Sequence, residues 1–407
     1  MRDTDTHGLG TRTDTDNDVG AKVFTAPAAP PLGARAGVEP GLVSKSVRQF
    51  NRGLRRLHGL VKIRENSVWV MAVGVLALFL VTSMSCAPGD NLHLSGRGKI
   101  AVIFDTDICD DIDDTWALAM LIQSPEFDVK LITTAVGNTA AKARTVAKFL
   151  EAVGRADIPI GIGVQQHKGS HRQDAWAKDY NLASYPGKVY QDGVQALIDT
   201  IMSSRKPIKL IATGPLPNIA AALEREPRIA RKAEFVGMHG SIRKGYGGGA
   251  EPSAEYNVKA YVKEAQKVFA GSWDMTITPL DTCGIIQLKD QKYQKVLERD
   301  SAVTRALIEN YRAWQRQGVA SENKDLSEAE ANKRADEKVS TSSTILFDTV
   351  AIYLAMSTEL VRMEKLRIKV TDDGFTRIDD KAKVINCATE WKDLGAFEDF
   401  LVERLTR

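Results

Sequence analysis

Lys99–Asp114 reads KIAVIFDTDICDDIDD, and this stretch decides the fold. Lys99–Phe104 is a short, apolar, β-rich run. Six carboxylates then fall within ten residues: Asp105, Asp107, Asp110, Asp111, Asp113 and Asp114. Charges packed so densely repel. A surface loop could solvate them, with Asp113 and Asp114 favoured by the N-terminal dipole of the helix that follows. This loop, however, follows a strand whose composition predicts burial, and a cation would relieve the repulsion. Hard oxygen ligands favour calcium or magnesium over zinc.

The pattern outward from this stretch is regular. Thr115–Gln123 has helical spacing, Val129–Val136 reads as a strand, and Thr139–Val153 as a helix with Phe149 and Leu150 on its apolar face. Strands are expected at Ile158–Ile162, Ile208–Ala212, Phe235–Met238, Met275–Thr278 and Leu366–Val370. Helices are expected at Val194–Ser203, Pro217–Glu224, Lys259–Phe269, Gln287–Gln317 and Ser343–Met356. The polar stretch Val319–Ser340 is a loop or an exposed helix, and Asp372-Asp373-Gly374 is a turn. Alternating strands and helices predict an α/β fold: an open, mostly parallel, Rossmann-like sheet with helices on both faces. Ligands of such sheets sit beyond the carboxyl ends of the strands, where the aspartates lie.

Two other readings of the cluster can be tested by spacing. An EF-hand loop from Asp105 would need Gly at 110 and Glu at 116; the chain has Asp110 and Trp116. A haloacid-dehalogenase-type phosphatase also places D-x-D after its first strand, as Asp105-Thr106-Asp107 would. Its loop carries fewer aspartates.

The whole chain has 407 residues, 55 basic and 52 acidic, with 43% hydrophobic and 26% charged residues. These proportions are ordinary for a globular protein and argue against a disordered or polytopic chain. A net charge of +3 leaves no electrostatic footprint for nucleic acid. Four cysteines are too few for a disulfide scaffold. The charge is uneven. Residues 1–66 form a basic, Pro/Ala/Gly-rich extension, whereas Asn66–Gly89 carries no charged side chain. Val68–Val81, VWVMAVGVLALFLV, is short for a membrane span and suits a signal-peptide core, with Lys62 and Arg64 before it. Thr82-Ser83-Met84-Ser85-Cys86 resembles a bacterial lipobox, with Ser83 where an aliphatic residue is usual. The expected organisation is 1–66 extension, 67–86 signal peptide with lipobox or uncleaved membrane anchor, 87–98 linker and 99–407 α/β domain. A translation start near Val61 would account for the length of the extension. Export with a lipid or helical membrane anchor follows as an expectation.

The cluster resembles the N-terminal signature of inosine–uridine-type nucleoside hydrolases, D-x-D-x-G-x-D-D before an Ala/Leu-rich helix. Cys109 replaces the Gly, and the segment is two residues longer before Asp113-Asp114. Further blocks follow in the family's order: VKLITTAVGN (129–138), ATGPLPN (212–218), VGMHG (236–240), AEYN (254–257) and FDTVAIYLA (347–355). The resemblance spans Lys99 to Arg407 and implies the nucleoside hydrolase fold. It implies Ca2+ held by Asp107, Asp114 and Asp348 and by the backbone carbonyl of Thr213. It also implies Asp107 as general base, Asp113 and Asp348 on the 2′- and 3′-hydroxyls, and Asn138, Glu255, Asn257 and Met238 around the ribose. Read from the residues alone, Asn138 and Thr213 could be turn residues, and Glu255, Asn257 and Asp348 polar residues opening helices.

The departures fall on the base side. Phe347 stands where some members carry a histidine that protonates the leaving base. Trp176, Tyr311 and Trp314 are candidate stackers, and His167, His171 and His239 candidate acids. Gly249 stands where an asparagine near the 5′-hydroxyl is usual, and Tyr261 where an Asp is usual. The expected activity is calcium-dependent hydrolysis of ribonucleosides to base and ribose, with ribosides preferred over 2′-deoxyribosides. Two alternatives remain: hydrolysis of another ribosyl substrate on the same fold, or a nucleoside-binding lipoprotein without turnover. The resemblance implies a homo-oligomer; no segment identifies an interface.

Overall fold

The computed structural model describes residues 98–166 and 171–407. The extension, the apolar run and the lipobox-like segment lie outside the described residues. Among the described residues no helix is long and apolar enough to cross a membrane.

Ten strands form the sheet: β1 (Ile100–Thr106), β2 (Phe127–Thr134), β3 (Ile160–Ile162), β4 (Val189–Tyr190), β5 (Ile208–Ala212), β6 (Ala233–Met238), β7 (Met275–Thr278), β8 (Val361–Val370), β9 (Thr376–Ile378) and β10 (Val384–Trp391). Their order is β4-β3-β2-β1-β5-β6-β7-β10-β8-β9. Neighbours from β4 to β10 pair parallel, while β8 runs antiparallel to β10 and β9 to β8. The chain therefore builds outward from β1 in one direction and then from β5 in the other. The gap between the ends of β1 and β5 is the switch point at which such sheets bind ligands.

Both faces of the sheet are buried around β1, which explains why KIAVIF is continuous rather than alternating. Val102 and Phe104 pack into one core, Ile103 into the other, because successive strand side chains point to opposite faces. The first core is covered by helices Asp113–Gln123, Thr139–Ala152, Ala302–Glu322 and Leu394–Leu405; the second by Gly193–Ser203, Pro217–Arg225 and Val262–Ala270.

The structure alters or settles several readings. The helix expected over Ser343–Met356 covers only Thr349–Leu354. The stretch expected as one helix over Gln287–Gln317 is two, Asp290–Glu298 and Ala302–Glu322. Ser301 breaks it by accepting the Thr304 N–H in a reciprocal capping box, starting a new helix where the old one could have continued. Of the polar stretch, Glu328–Thr341 is a helix, capped by Ser327 and Glu330. Its Ala331, Ala335 and Val339 give it a narrow buried stripe. Strand β8 begins five residues before Leu366, and the Asp372–Gly374 turn joins it to β9, with Gly374 at φ +80°.

Candidate active site

The sheet delivers the aspartates to the switch point. Asp105, the second-last residue of β1, lies opposite Ala212 of β5, and its carbonyl accepts the Thr213 N–H at 2.9 Å. Its carboxylate accepts from Thr133 Oγ1 and, at 2.8 Å, from Asn218 Nδ2. Asp105 thus ties β1, β2 and β5 together beneath the site. Burial pushes it up to about 6, with those two hydrogen bonds holding it down.

Asp107 follows the strand. Its Oδ1 packs so closely on Gly214 that a Cβ there would lie 2.6 Å away. The loop then turns at Cys109, which has φ +85° without being glycine. Such a backbone costs roughly 1–3 kcal/mol and persists only where surroundings enforce it. Here the Cys109 thiol meets Thr145 Oγ1 at 3.2 Å, and its carbonyl accepts the Arg172 N–H. The extra loop residues then rejoin a helix beginning at Asp113.

Asp113, Asp114 and Asp348 bring carboxylate oxygens within 4.8 Å of one another, all buried. The Asp348 N–H donates to Asp113 Oδ2 at 3.2 Å across 235 residues of chain. Asp114 Oδ1 accepts from Thr106 Oγ1 and from Thr213 Oγ1 at 3.2 Å. Burial raises Asp107, Asp113 and Asp348 well above the usual carboxylate range, and the charges of their neighbours add to it. Asp114 rises to about 7 for the same first cause, burial, opposed by its bond from Thr106. Buried oxygen donors gathered against their own repulsion fit a hard divalent cation. Asp107, placed in that set by the family resemblance, lies outside the closest triple, while Asp113 lies within it.

Asn257 Nδ2 donates to the Thr213 carbonyl at 2.7 Å and the Met238 carbonyl at 3.1 Å, joining the ends of β5 and β6. Glu255 caps the short Tyr256–Lys259 helix, its carboxylate accepting from the N–H groups of Gly240, Asn257 and Val258. Burial pushes Glu255 up to about 7 against those three bonds. Both residues do open a helix, and they do so as buried groups, Asn257 reaching Thr213 and Glu255 reaching Gly240. Asn138 is exposed: its Oδ1 caps the Thr139–Ala152 helix by accepting from Ala141 N–H at 3.0 Å. It borders a surface cavity of about 460 Å³ lined also by Arg144, Tyr180, Asn181 and Leu182.

The proposed stackers sit elsewhere than on an open face. Tyr311, 1% exposed, packs against Trp116 and Trp314 with ring centroids 6.2 and 6.4 Å away. Trp314 carries the Arg172 guanidinium 3.7 Å over its ring. Half-buried Trp176 is covered by Lys148, 4.4 Å from its centroid. Of the histidines, His239 is buried, bonds the Gly214 carbonyl through Nε2 at 3.0 Å, and is held down at about 4 by that burial. It is therefore neutral and supports Gly214. His171 Nε2 accepts the Asn138 N–H at 3.4 Å. His167 lies outside the described residues.

Two residues join the site that sequence reasoning missed. Tyr246, 43% exposed, meets the half-buried Phe347 edge-on at 6.0 Å, and its hydroxyl accepts the Tyr256 N–H at 2.9 Å. Lys142 is wholly buried; its ammonium donates to the Asp107 carbonyl at 2.7 Å and pairs with Asp110 at 3.1 Å. Lys142 had a readable signal: it falls in helical register with Val146 and Phe149 on the buried face of its helix. Tyr246, on the glycine-rich Gly245–Gly249 turn, had none.

Comparison with known proteins places the fold and the family. The inosine-uridine preferring nucleoside hydrolase family matches residues 102–395. The inosine-uridine preferring nucleoside hydrolase of Leishmania major is 37% identical over 191 residues, 42% of this chain and 59% of that one. The non-specific ribonucleoside hydrolase of Klebsiella pneumoniae is 29% identical over 194 residues, 45% of this chain and 62% of the relative. The chain thus spans about three-fifths of the length of these relatives. A plant nucleoside hydrolase structure superposes with a TM-score of 0.62 at 22% identity, covering 75% of this chain and 99% of that one. The purine-preferring ribonucleoside hydrolase of Gardnerella vaginalis gives 0.60 at 20% identity, covering 75% and 98%. Those two likenesses establish the fold. With the family match extending from β1 to the start of the last helix, the chain belongs to the inosine-uridine preferring nucleoside hydrolase family.

Proposed function

We propose that this protein hydrolyses the N-glycosidic bond of ribonucleosides, releasing base and ribose, with calcium in the acidic centre. The observation that carries the reading is the convergence of Asp113, Asp114 and Asp348 at the switch point, with Asp107 beside them on Gly214. Asp107, Asp114, Asp348 and the Thr213 carbonyl would hold the ion, and Asp113 is near enough to join them. When bound, calcium makes a water more acidic and binds sugar hydroxyl oxygens.

The chain's own groups supply the rest. Asp107 takes the proton from the attacking water as the water oxygen bonds to C1′ and the C1′–N bond breaks, the bonding pair leaving on the base nitrogen, which takes a proton from solvent. Cleavage builds positive charge on the ribose, and the surrounding buried carboxylates favour it. Asp113 and Asp348 accept from the 2′- and 3′-hydroxyls, and Glu255, Asn257 and Met238 complete the sugar's surroundings. On the base side Phe347 and Tyr246 provide an aromatic contact in place of the histidine.

The test is to incubate the full chain with purine and pyrimidine ribonucleosides, with and without calcium, and to measure reducing sugar. Calcium-dependent release supports the proposal. Binding by calorimetry without release would favour a nucleoside-binding protein, the reading that Phe347 prompts. We further propose export and lipid anchoring at Cys86, on the strength of Val68–Val81 and the residues before Cys86. The intact mass of the native protein tests this. A homo-oligomer, implied by the family, is testable by light scattering.

A further inference from the structure

Among the described residues Lys142 is the one buried lysine. The buried Arg404 pairs instead with Glu126, away from the acidic centre. Lys142 reaches the loop from behind, from the Thr139–Ala152 helix, and contacts it at the Asp107 carbonyl and the Asp110 carboxylate. Three residues on, Thr145 of the same helix meets the Cys109 thiol. One helical face therefore grips the strained turn between the proposed base and the carboxylate triple.

We propose that Lys142 is an internal counter-cation, which shares the negative charge of the acidic centre with the metal and sets how strongly folding depends on that metal. This rests on the calcium reading above. Asp107, Asp113, Asp114 and Asp348 are buried together, and Asp110 adds its charge at the loop tip. Without a cation their ionised forms repel. Lys142 offsets part of that repulsion permanently, on the protein side of the loop, and leaves the opposite side for a divalent ion. Removing its charge makes the centre more negative, so a metal binding only the folded state stabilises it more. Removing the charge of Asp110 does the reverse. A lysine that served only to hydrogen-bond the Asp107 carbonyl would, when lost, weaken the protein equally with and without metal.

The experiment measures the melting temperature of the full chain in EDTA and after replacement with calcium chloride, for wild type, Lys142→Met and Asp110→Asn. The wild type is expected to gain stability with calcium. Lys142→Met is expected to be less stable in EDTA and to gain at least twice the wild-type increment. A variant unfolded in EDTA and folded in calcium is the extreme of that result. Asp110→Asn is expected to gain less than wild type. An unchanged or smaller increment in Lys142→Met overturns the inference, as does a chain unfolded under both conditions. An undiminished increment in Asp110→Asn overturns it as well. A wild type that gains nothing from calcium overturns the calcium reading itself, so the two failures are distinguishable.

Discussion

Gly214→Ala tests whether the position of Asp107 limits turnover. A methyl group on Gly214 would lie 2.6 Å from Asp107 Oδ1 and 2.8 Å from its Cβ and Cγ. Non-bonded carbon contacts settle at about 3.5–4.0 Å, so one partner must move by about 1 Å. Gly214 does not occupy the left-handed region, so alanine suits its backbone. The backbone cannot easily retreat, because His239 Nε2 holds the Gly214 carbonyl at 3.0 Å. Asp107 is therefore the group displaced. A 1 Å misplacement of a reacting group costs about 10²-fold in rate, or about 2.7 kcal/mol of barrier. Overpacking costs about 1–3 kcal/mol of stability, which a domain of this size survives. The assay is ribose release from inosine and uridine in calcium, with kcat and KM determined separately. The expected result is kcat lowered about 100-fold and KM nearly unchanged, since Asp113 and Asp348 would still hold the sugar. In an Asp107→Asn background the alanine should add little, because the two residues act as one unit. Gly214→Ala with wild-type kcat would refute the reasoning.

Three further outcomes are expected. Asp107→Asn should lower kcat by about 10²–10⁴-fold with the fold retained by circular dichroism; wild-type turnover would remove Asp107 as the base. Inosine should exceed 2′-deoxyinosine in kcat/KM by about 10⁴-fold, because the deoxysugar leaves buried acceptors unpaired; comparable rates would contradict a grip by Asp113 and Asp348. Metal-free protein should be more stable near pH 5 than near pH 8. Asp105 at about 6 and Glu255 at about 7 are raised by burial, so their stabilisation is full below pH 4 and is lost as pH rises through 6 to 7. Each is worth about 3 kcal/mol, and Asp107, Asp113, Asp114 and Asp348 act in the same direction. His239, held at about 4, opposes them with about 3 kcal/mol gained between pH 4 and 6.5, and is outweighed. Melting curves in EDTA that rise from pH 5 to pH 8 would sink this account, and calcium should flatten the trend.

The fold was legible where its signal was local. KIAVIF followed by aspartates announced β1 and the loop, and the alternation of short apolar runs with helical spacings announced the parallel sheet. Of the antiparallel extension only Leu366–Val370 of β8 was read, and β9, β10 and the Leu394–Leu405 helix were not, because β8 mixes exposed charged residues with its buried ones and β9 is only three residues long. The break at Ser301 was hidden by helix-favouring residues on both sides of it.

By itself the sequence determined the chemistry on offer: a carboxylate-loaded loop at the end of a buried strand, and six ordered blocks resembling one family. Residue types and short spacings carry that information directly. Only the tertiary structure decided which groups meet. It set Asp348 against Asp113, Asp107 against Gly214, Tyr246 against Phe347, and the Lys142 ammonium beneath the loop. These pairings join residues far apart in the chain, and sheet order and burial fix them. Burial also explains why a centre so crowded with carboxylates is costly to fold without a cation.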